Sequence, residues 1–210
     1  MNEVCQRLHE HFHQHKRFCF PYEGNELPLN GICILYEKEE TGHGGDRIVR
    51  VGSHTGVNKL RSRIKEHFMN PNKDRSIFRK NIGRCFLNKN NDPYLKIWEL
   101  ALTKRADKEK YQHLIDVEHQ KDLEQKISQY IQQNFSFSVI QIEDKNKRLN
   151  LESKLISTVS LCNECKPSPN WLGLHSPKEK IRESGLWQVN HLYKESLSIS
   201  ELQWLEANTT

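Results

Sequence analysis

Residues 30–56 read NGICILYEKEETGHGGDRIVRVGSHTG, and the pairing of this segment decides the architecture. Ile32, Ile34 and the run Arg47 to Val51 carry the β-branched content of strands. Between them lies a long polar turn, EKEETGHGGDR, so the segment reads as a hairpin. Each strand contains a glycine triplet, Gly31-Ile32-Cys33 in the first and Arg50-Val51-Gly52 in the second. GHGG has the look of a phosphate loop. No Gly-Lys-Ser/Thr follows it, which argues against a Walker-type nucleotide site.

Directly after the hairpin, Leu60, Ile64 and Phe68 recur every four residues and mark one face of a helix. Arg63 and His67 share another face of it. Upstream, residues 3–17 read as a polar helix with exposed imidazoles. His9/His13 and His11/His15 are spaced for weak metal binding, but a solvated face is the favoured reading. Downstream, residues 70–134 read mostly as helices: DRSIFRKNIGRCFL, DPYLKIWELAL and a longer one ending at IQQN. FSFSVIQIED then alternates as a half-buried strand. Asp144 is placed to cap a helix containing RLNLESKLISTVSL. A proline-rich loop, CKPSPNWLGLHSP, leads to a last helix around PKEKIRESGLWQVNHLY, and the tail past Ser196 reads as frayed. The order is helix, hairpin, helix, helical insertion, strand, helix, helix. The expected fold is α/β: a small, mostly antiparallel three-stranded sheet flanked by helices.

The 210 residues are 35% hydrophobic and 28% charged, polar for a globular chain but with enough aromatics for a core. The net charge of +5 is unevenly placed: Lys59 to Arg84 holds nine basic residues against Glu66 and Asp74. That segment is a candidate phosphate-binding face, a solvated helix surface being the rival reading. With no membrane span or signal peptide in view, the six cysteines read as reduced thiols of a cytoplasmic protein. Cys162 and Cys165 form the one close pair. A structural zinc site wants four ligands, and no second pair exists, so a plain loop is the favoured reading.

Taken in order, four pieces resemble a GIY-YIG endonuclease domain: Gly31-Ile32-Cys33, Arg50-Val51-Gly52, LRSRIKEHF and LESKLIS, with PNWLG beyond. The resemblance covers about residues 28–68 and 135–173. It makes 69–134 a helical insertion and about 174–196 a C-terminal extension of a single domain. It implies a catalytic arginine at Arg63 with His67 beside it. Glu152 would be the ligand of Mg²⁺ or Mn²⁺, and Asn170 a structural or phosphate-contacting asparagine. The implied activity is phosphodiester hydrolysis of nucleic acid, with double-stranded DNA as the expected substrate. The alternative is a domain that kept binding and lost catalysis.

Both family tyrosines are replaced, by Cys33 and Arg50. A thiol lacks aromatic reach, and a guanidinium is no base. Three nearby groups remain to activate water: His54, His67 and Tyr36. A neutral imidazole is a competent base near neutrality, and Tyr36 lies three residues from Cys33, facing away on a strand. His54 or His67 is therefore favoured. For backbone contacts beyond the pocket, the candidates are Arg61, Lys65, Lys73, Arg75, Arg79, Lys80 and Arg84. Trp171 and Trp187 read as core.

Overall fold

The structure, a computed structural model, describes residues 2–209. Helix α1 (Asn2–His13) precedes strand β1 (Phe18–Cys19) and a hairpin of β2 (Gly31–Gly42) and β3 (Gly45–Gly52). Five helices follow: α2 (Leu60–Phe68), α3 (Ile77–Lys89), α4 (Leu95–Trp98), α5 (Arg105–Tyr111) and α6 (Val117–Asn134). Strand β4 (Phe135–Gln141) starts where α6 ends, and α7 (Lys145–Ser160), α8 (Glu179–Ser184) and α9 (Ile199–Asn208) complete the chain.

The sheet has four strands in the order β1-β4-β2-β3, every pairing antiparallel. The sequence announces three. The fourth, β1, is two residues long and carries no period that a reading could detect. β2 is central and buried on both faces from Gly31 to Glu37, which is why GICILY reads as a continuous apolar run. Cys33 and Leu35 face a core formed with α2, α3 and α6 and with Trp98, Trp171 and Trp187. Ile32, Ile34 and Tyr36 face a second core under α1, α7 and α9. Gly31 sits where the strands press closest: a Cβ there would lie 2.1 Å from the Ile140 carbonyl oxygen across the β2–β4 ladder.

The hairpin turn is tighter than its polar composition suggests. Gly42 pairs with Gly45, and only His43 and Gly44, both at positive φ, lie between. Two left-handed residues in a two-residue loop suit the right-handed twist of the flanking strands. Register irregularities on both sides of Tyr36 take up the remaining residues.

Other expectations change at their boundaries. DPYLKIWELAL forms only the four-residue α4, and the long helix breaks into α5, a short 3₁₀ turn and α6. The segment at PKEKIRESGLWQVNHLY is helical only over α8 and ends at Gly185 in a left-handed cap. The tail past Ser196 is not frayed: Ser198 and Glu201 form a capping box, and Leu202 and Leu205 bury α9 against the second core. Asp144 caps α7 by accepting from the Lys147 N–H. No described helix is long and apolar enough to cross a membrane.

Candidate phosphate-binding cleft

The glycine triplets close the same end of the hairpin, because Cys33 pairs with Gly52. From there the chain runs through a loop, 53–59, into α2. Three ties fix that loop. Asn30, buried beside Gly31, accepts from the Asn58 N–H at 2.8 Å and donates to Asn58 Oδ1 and Glu143 Oε2. The buried Arg148 guanidinium donates to the His54 carbonyl from both Nε and Nη2. The His54 ring spans the loop, its Nδ1–H donating to the Gly56 carbonyl at 2.6 Å and its Nε2 accepting from the Gly31 N–H at 3.3 Å.

Between this loop and α2 lies a cleft of about 330 Å³, with Ser53, His54, Lys59, Arg63 and Glu66 in its wall. Glu152, from α7 on the other side of the sheet, stands behind the wall residue Ser53, which donates to the carboxylate from N–H at 2.8 Å and from its hydroxyl at 2.5 Å. Arg63 is partly exposed and is aimed by Glu66 (3.0 Å) and by the Arg75 carbonyl (2.9 Å). Arg50 lies deeper and interacts electrostatically with both Arg63 and Glu152. One of its Nη groups donates to the Trp187 carbonyl at 2.7 Å, its charge sits 5.3 Å from the Phe78 ring, and its buried Nε–H has no acceptor among the described residues. Burial lowers its pKa to about 10, so it stays charged at neutrality. Arg63, Lys59 and Glu66 thus line the cleft, with Arg50 and the Glu152 carboxylate behind its wall, and the surplus of positive charge attracts anions.

The other expected residues fall into three groups. Cys33 and His67 lie beside Arg50 but are buried. Burial pushes the Cys33 thiol well above its ordinary value, so it packs as a small apolar group. His67 pairs with the Ser76 hydroxyl at 2.7 Å. Burial, then the charges of Arg50, Arg63 and Arg79, hold it well below the usual imidazole range. A histidine that resists a proton this strongly is a poor base. His54 fails for a different reason: both ring nitrogens are used to position the loop, and burial lowers its pKa. Tyr36 projects into the second core, bonded to the Ser138 hydroxyl and stacked under Arg17, with burial raising its pKa to about 12. The structure leaves none of the three candidate bases free in the cleft.

Asn170 is exposed but sits away from the cleft. Its neighbours Ser168 and Trp171 donate to Glu40 and Glu37, further along β2 than Cys33. The expected basic face is mostly internal. Arg79 is fully buried against Glu124, and Arg84 is paired with Glu99 through two bonds of 2.6 Å. Lys73 and Lys80 donate to the carbonyls of Leu100 and Glu99. Arg61 donates to the carbonyls of Leu27 and Asn25. These side chains are spent on holding the insertion together. Of that basic run, Lys59, Arg63, Lys65 and Arg75 keep their charges toward solvent; Lys59, Arg63 and Arg75, joined by Lys108 of α5, line the cleft and the adjoining groove, and Lys65 lies away from the cleft wall. That groove, of about 840 Å³, shares Arg63 and Glu66 with the cleft.

Sequence reasoning did not single out Ser53, Asn30 or Arg148. Ser53 follows Gly52 directly and could have been found as the first donor beyond the strand. Asn30 and Arg148 carry no local signal for this role, since the loop residues that they hold, Asn58 and His54, lie 28 and 94 residues away.

No curated protein and no solved structure matches the chain. A family model described as a GIY-YIG domain matches residues 1–209, so the helices between α2 and β4 and the C-terminal segment fall within the family's extent. With an antiparallel sheet flanked by helices, paired glycine triplets and an arginine-bearing helix after the second, the chain belongs to the GIY-YIG domain family.

Proposed function

We propose that the cleft binds a phosphodiester of nucleic acid, double-stranded DNA as the first substrate to test, and hydrolyses it with a divalent metal ion. The carrying observation is that Arg63 lines the cleft, that the Glu152 carboxylate is pre-oriented behind its wall by Ser53, and that Arg50 lies within electrostatic reach of both. The family is one of nucleases and nucleic-acid-binding domains, which supports the substrate class.

The residues fit a hard cation. Each Glu152 oxygen accepts one hydrogen bond from Ser53 and keeps a further lone pair. Mg²⁺ accepts a site with one carboxylate because it retains several waters. Bound there, the ion would supply Lewis-acid polarisation of the phosphate. Arg63 contributes a forked donor for the non-bridging oxygens, where charge accumulates as water's oxygen bonds to phosphorus and the ester P–O bond breaks. Arg50 adds positive field from below. Ser53 and Glu66 position the carboxylate and the guanidinium. The proton of the attacking water leaves to solvent, to a substrate oxygen or to the Glu66 carboxylate in the cleft wall, because none of His54, His67 and Tyr36 is free to take it. Lys59, Arg75 and Lys108 would follow the phosphate backbone on either side.

That lack of a free histidine or tyrosine also favours a second reading, in which the domain binds nucleic acid without cleaving it. Nicking of supercoiled plasmid separates the two. Mg²⁺-dependent nicking lost in Arg63→Ala and Glu152→Ala supports the nuclease. Salt-sensitive binding with no cleavage in any divalent metal supports the binder.

A further inference from the structure

At the opposite end of the hairpin from the cleft, three segments converge on a buried knot of sulfur and imidazole. Cys5 and His9 come from α1, His43 from the tip of the β2–β3 turn, and Cys165 from the loop after α7. One ligand atom from each lies within 4.8 Å of all the others. Cys5, His9 and Cys165 are buried, and the His43 side chain is 1% exposed.

The spacings match a tetrahedral centre. Zinc–sulfur bonds of about 2.3 Å at tetrahedral angles put two sulfurs about 3.7 Å apart. Cys5 Sγ and Cys165 Sγ are 3.6 Å apart, and Cys165 Sγ is 3.7 Å from His9 Nε2. His9 is held as a ligand is held, and a carboxylate stands within ion-pair distance of His43 Nδ1. His9 Nδ1 lies 2.9 Å from the Cys5 carbonyl oxygen, to which it donates. His43 Nδ1 lies 3.3 Å from Glu164 Oε2. An oxygen on one ring nitrogen fixes the tautomer and turns the other nitrogen toward the metal. In each ring that other nitrogen, Nε2, faces sulfur: His9 toward Cys165, and His43 toward Cys162 Sγ at 3.2 Å. A cation would displace the Ile48 N–H, 3.3 Å from His9 Nε2, and the Cys162 sulfur, 3.2 Å from His43 Nε2.

We propose that Cys5, His9, His43 and Cys165 bind one Zn²⁺ as a structural site. Two thiolates and two imidazoles suit zinc, and a shell filled by four protein ligands leaves no open position for catalysis. The ion clamps α1 onto the hairpin turn and the loop before Trp171, joining His9 to His43, 34 residues apart, and Cys5 to Cys165, 160 apart. Cys162 is a neighbour of the site and outside its shell.

The test measures zinc in the full-length chain after purification and after incubation with Zn²⁺, with cobalt substitution to read geometry. Expected are one zinc per chain, the visible bands of tetrahedral Co²⁺, and a lower melting temperature on chelation. Cys165→Ser and His43→Ala lose the metal, while Cys162→Ser and the exposed Cys19→Ser keep it. Wild-type protein that takes up no zinc, with all six thiols titrating freely, overturns the proposal. A Cys5–Cys165 disulfide in the isolated protein overturns it too, as does zinc retained by His43→Ala but lost by Cys162→Ser. Wild-type metal content decides the matter even where a variant fails to fold, and Glu152→Ala should leave the zinc in place, which separates this site from the cleft.

Discussion

Replacing Arg79 by alanine tests whether the basic run after α2 serves the fold or a nucleic-acid ligand. Its guanidinium is fully buried and makes five bonds: two to Glu124 Oε2 (3.1 and 2.8 Å), one to the Glu124 carbonyl, one to Ser128 Oγ and one to the His67 carbonyl. Without it, the buried Glu124 carboxylate keeps only the Lys73 N–H at 2.5 Å, and two carbonyls lose a donor. Removing one partner of such a pair costs about 3–5 kcal/mol, because the remaining charge stays buried and uncompensated. For a chain of this size that corresponds to a fall of roughly 6–20 °C in melting temperature. Arg79→Lys keeps the charge but loses the fork, and should fall between wild type and alanine. Replacing Arg79 and Glu124 together by methionine should recover most of the loss, since neither charge is then stranded. Urea denaturation followed by tryptophan fluorescence reads the stability, and fluorescence anisotropy with a DNA duplex reads binding under folding conditions. A loss below about 1 kcal/mol, accompanied by weaker DNA binding, would refute the reasoning and return Arg79 to the phosphate face.

Other outcomes follow from the same geometry. Gly31→Ala should destabilise the chain by about 1–3 kcal/mol in denaturant titration, because the new methyl meets the Ile140 carbonyl across the ladder. Glu37 is buried under donors from Trp171, Trp187 and Tyr130, and burial raises its pKa despite those hydrogen bonds. A carboxyl whose pKa is raised on folding favours the native state at low pH, so stability should fall as pH rises above the ordinary glutamate value and through the raised one. Glu37→Gln should flatten that slope, and an unchanged slope would contradict the assignment. For cleavage, the low pKa of both His54 and His67 means that neither gains competence as a base across the ordinary histidine range. The pH–rate profile should rise without an inflection near 6.5, and a histidine-like inflection abolished by His67→Ala would contradict a proton route that bypasses the histidines.

What the sequence made legible is local. The glycine triplets, the four-residue period of α2 and the Asp144 cap are written within a few residues of where they act. So was the capping box at Ser198 and Glu201, although the polar tail around it reads as disorder. What depended on distant partners was not legible. Arg79 and Arg84 look like a phosphate face until Glu124 and Glu99 are seen to neutralise them, 45 and 15 residues away. His9 reads as one of several exposed imidazoles, yet it is fully buried between Cys5 and Cys165. The His54 ring looks available until its two nitrogens are found on the backbone of Gly31 and Gly56. Charge and spacing show which groups are present; only the fold shows which of them remain unspent.

Single-turnover cleavage at saturating DNA, with binding measured in parallel, bears most directly on the cleft. Wild type with Mg²⁺ should cut. Glu152→Ala should bind duplex within a few-fold of wild type and cut at least about a hundredfold more slowly, as losing one transition-state contact worth about 3 kcal/mol requires. Cutting that survives Glu152→Ala and Arg63→Ala alike would contradict the account.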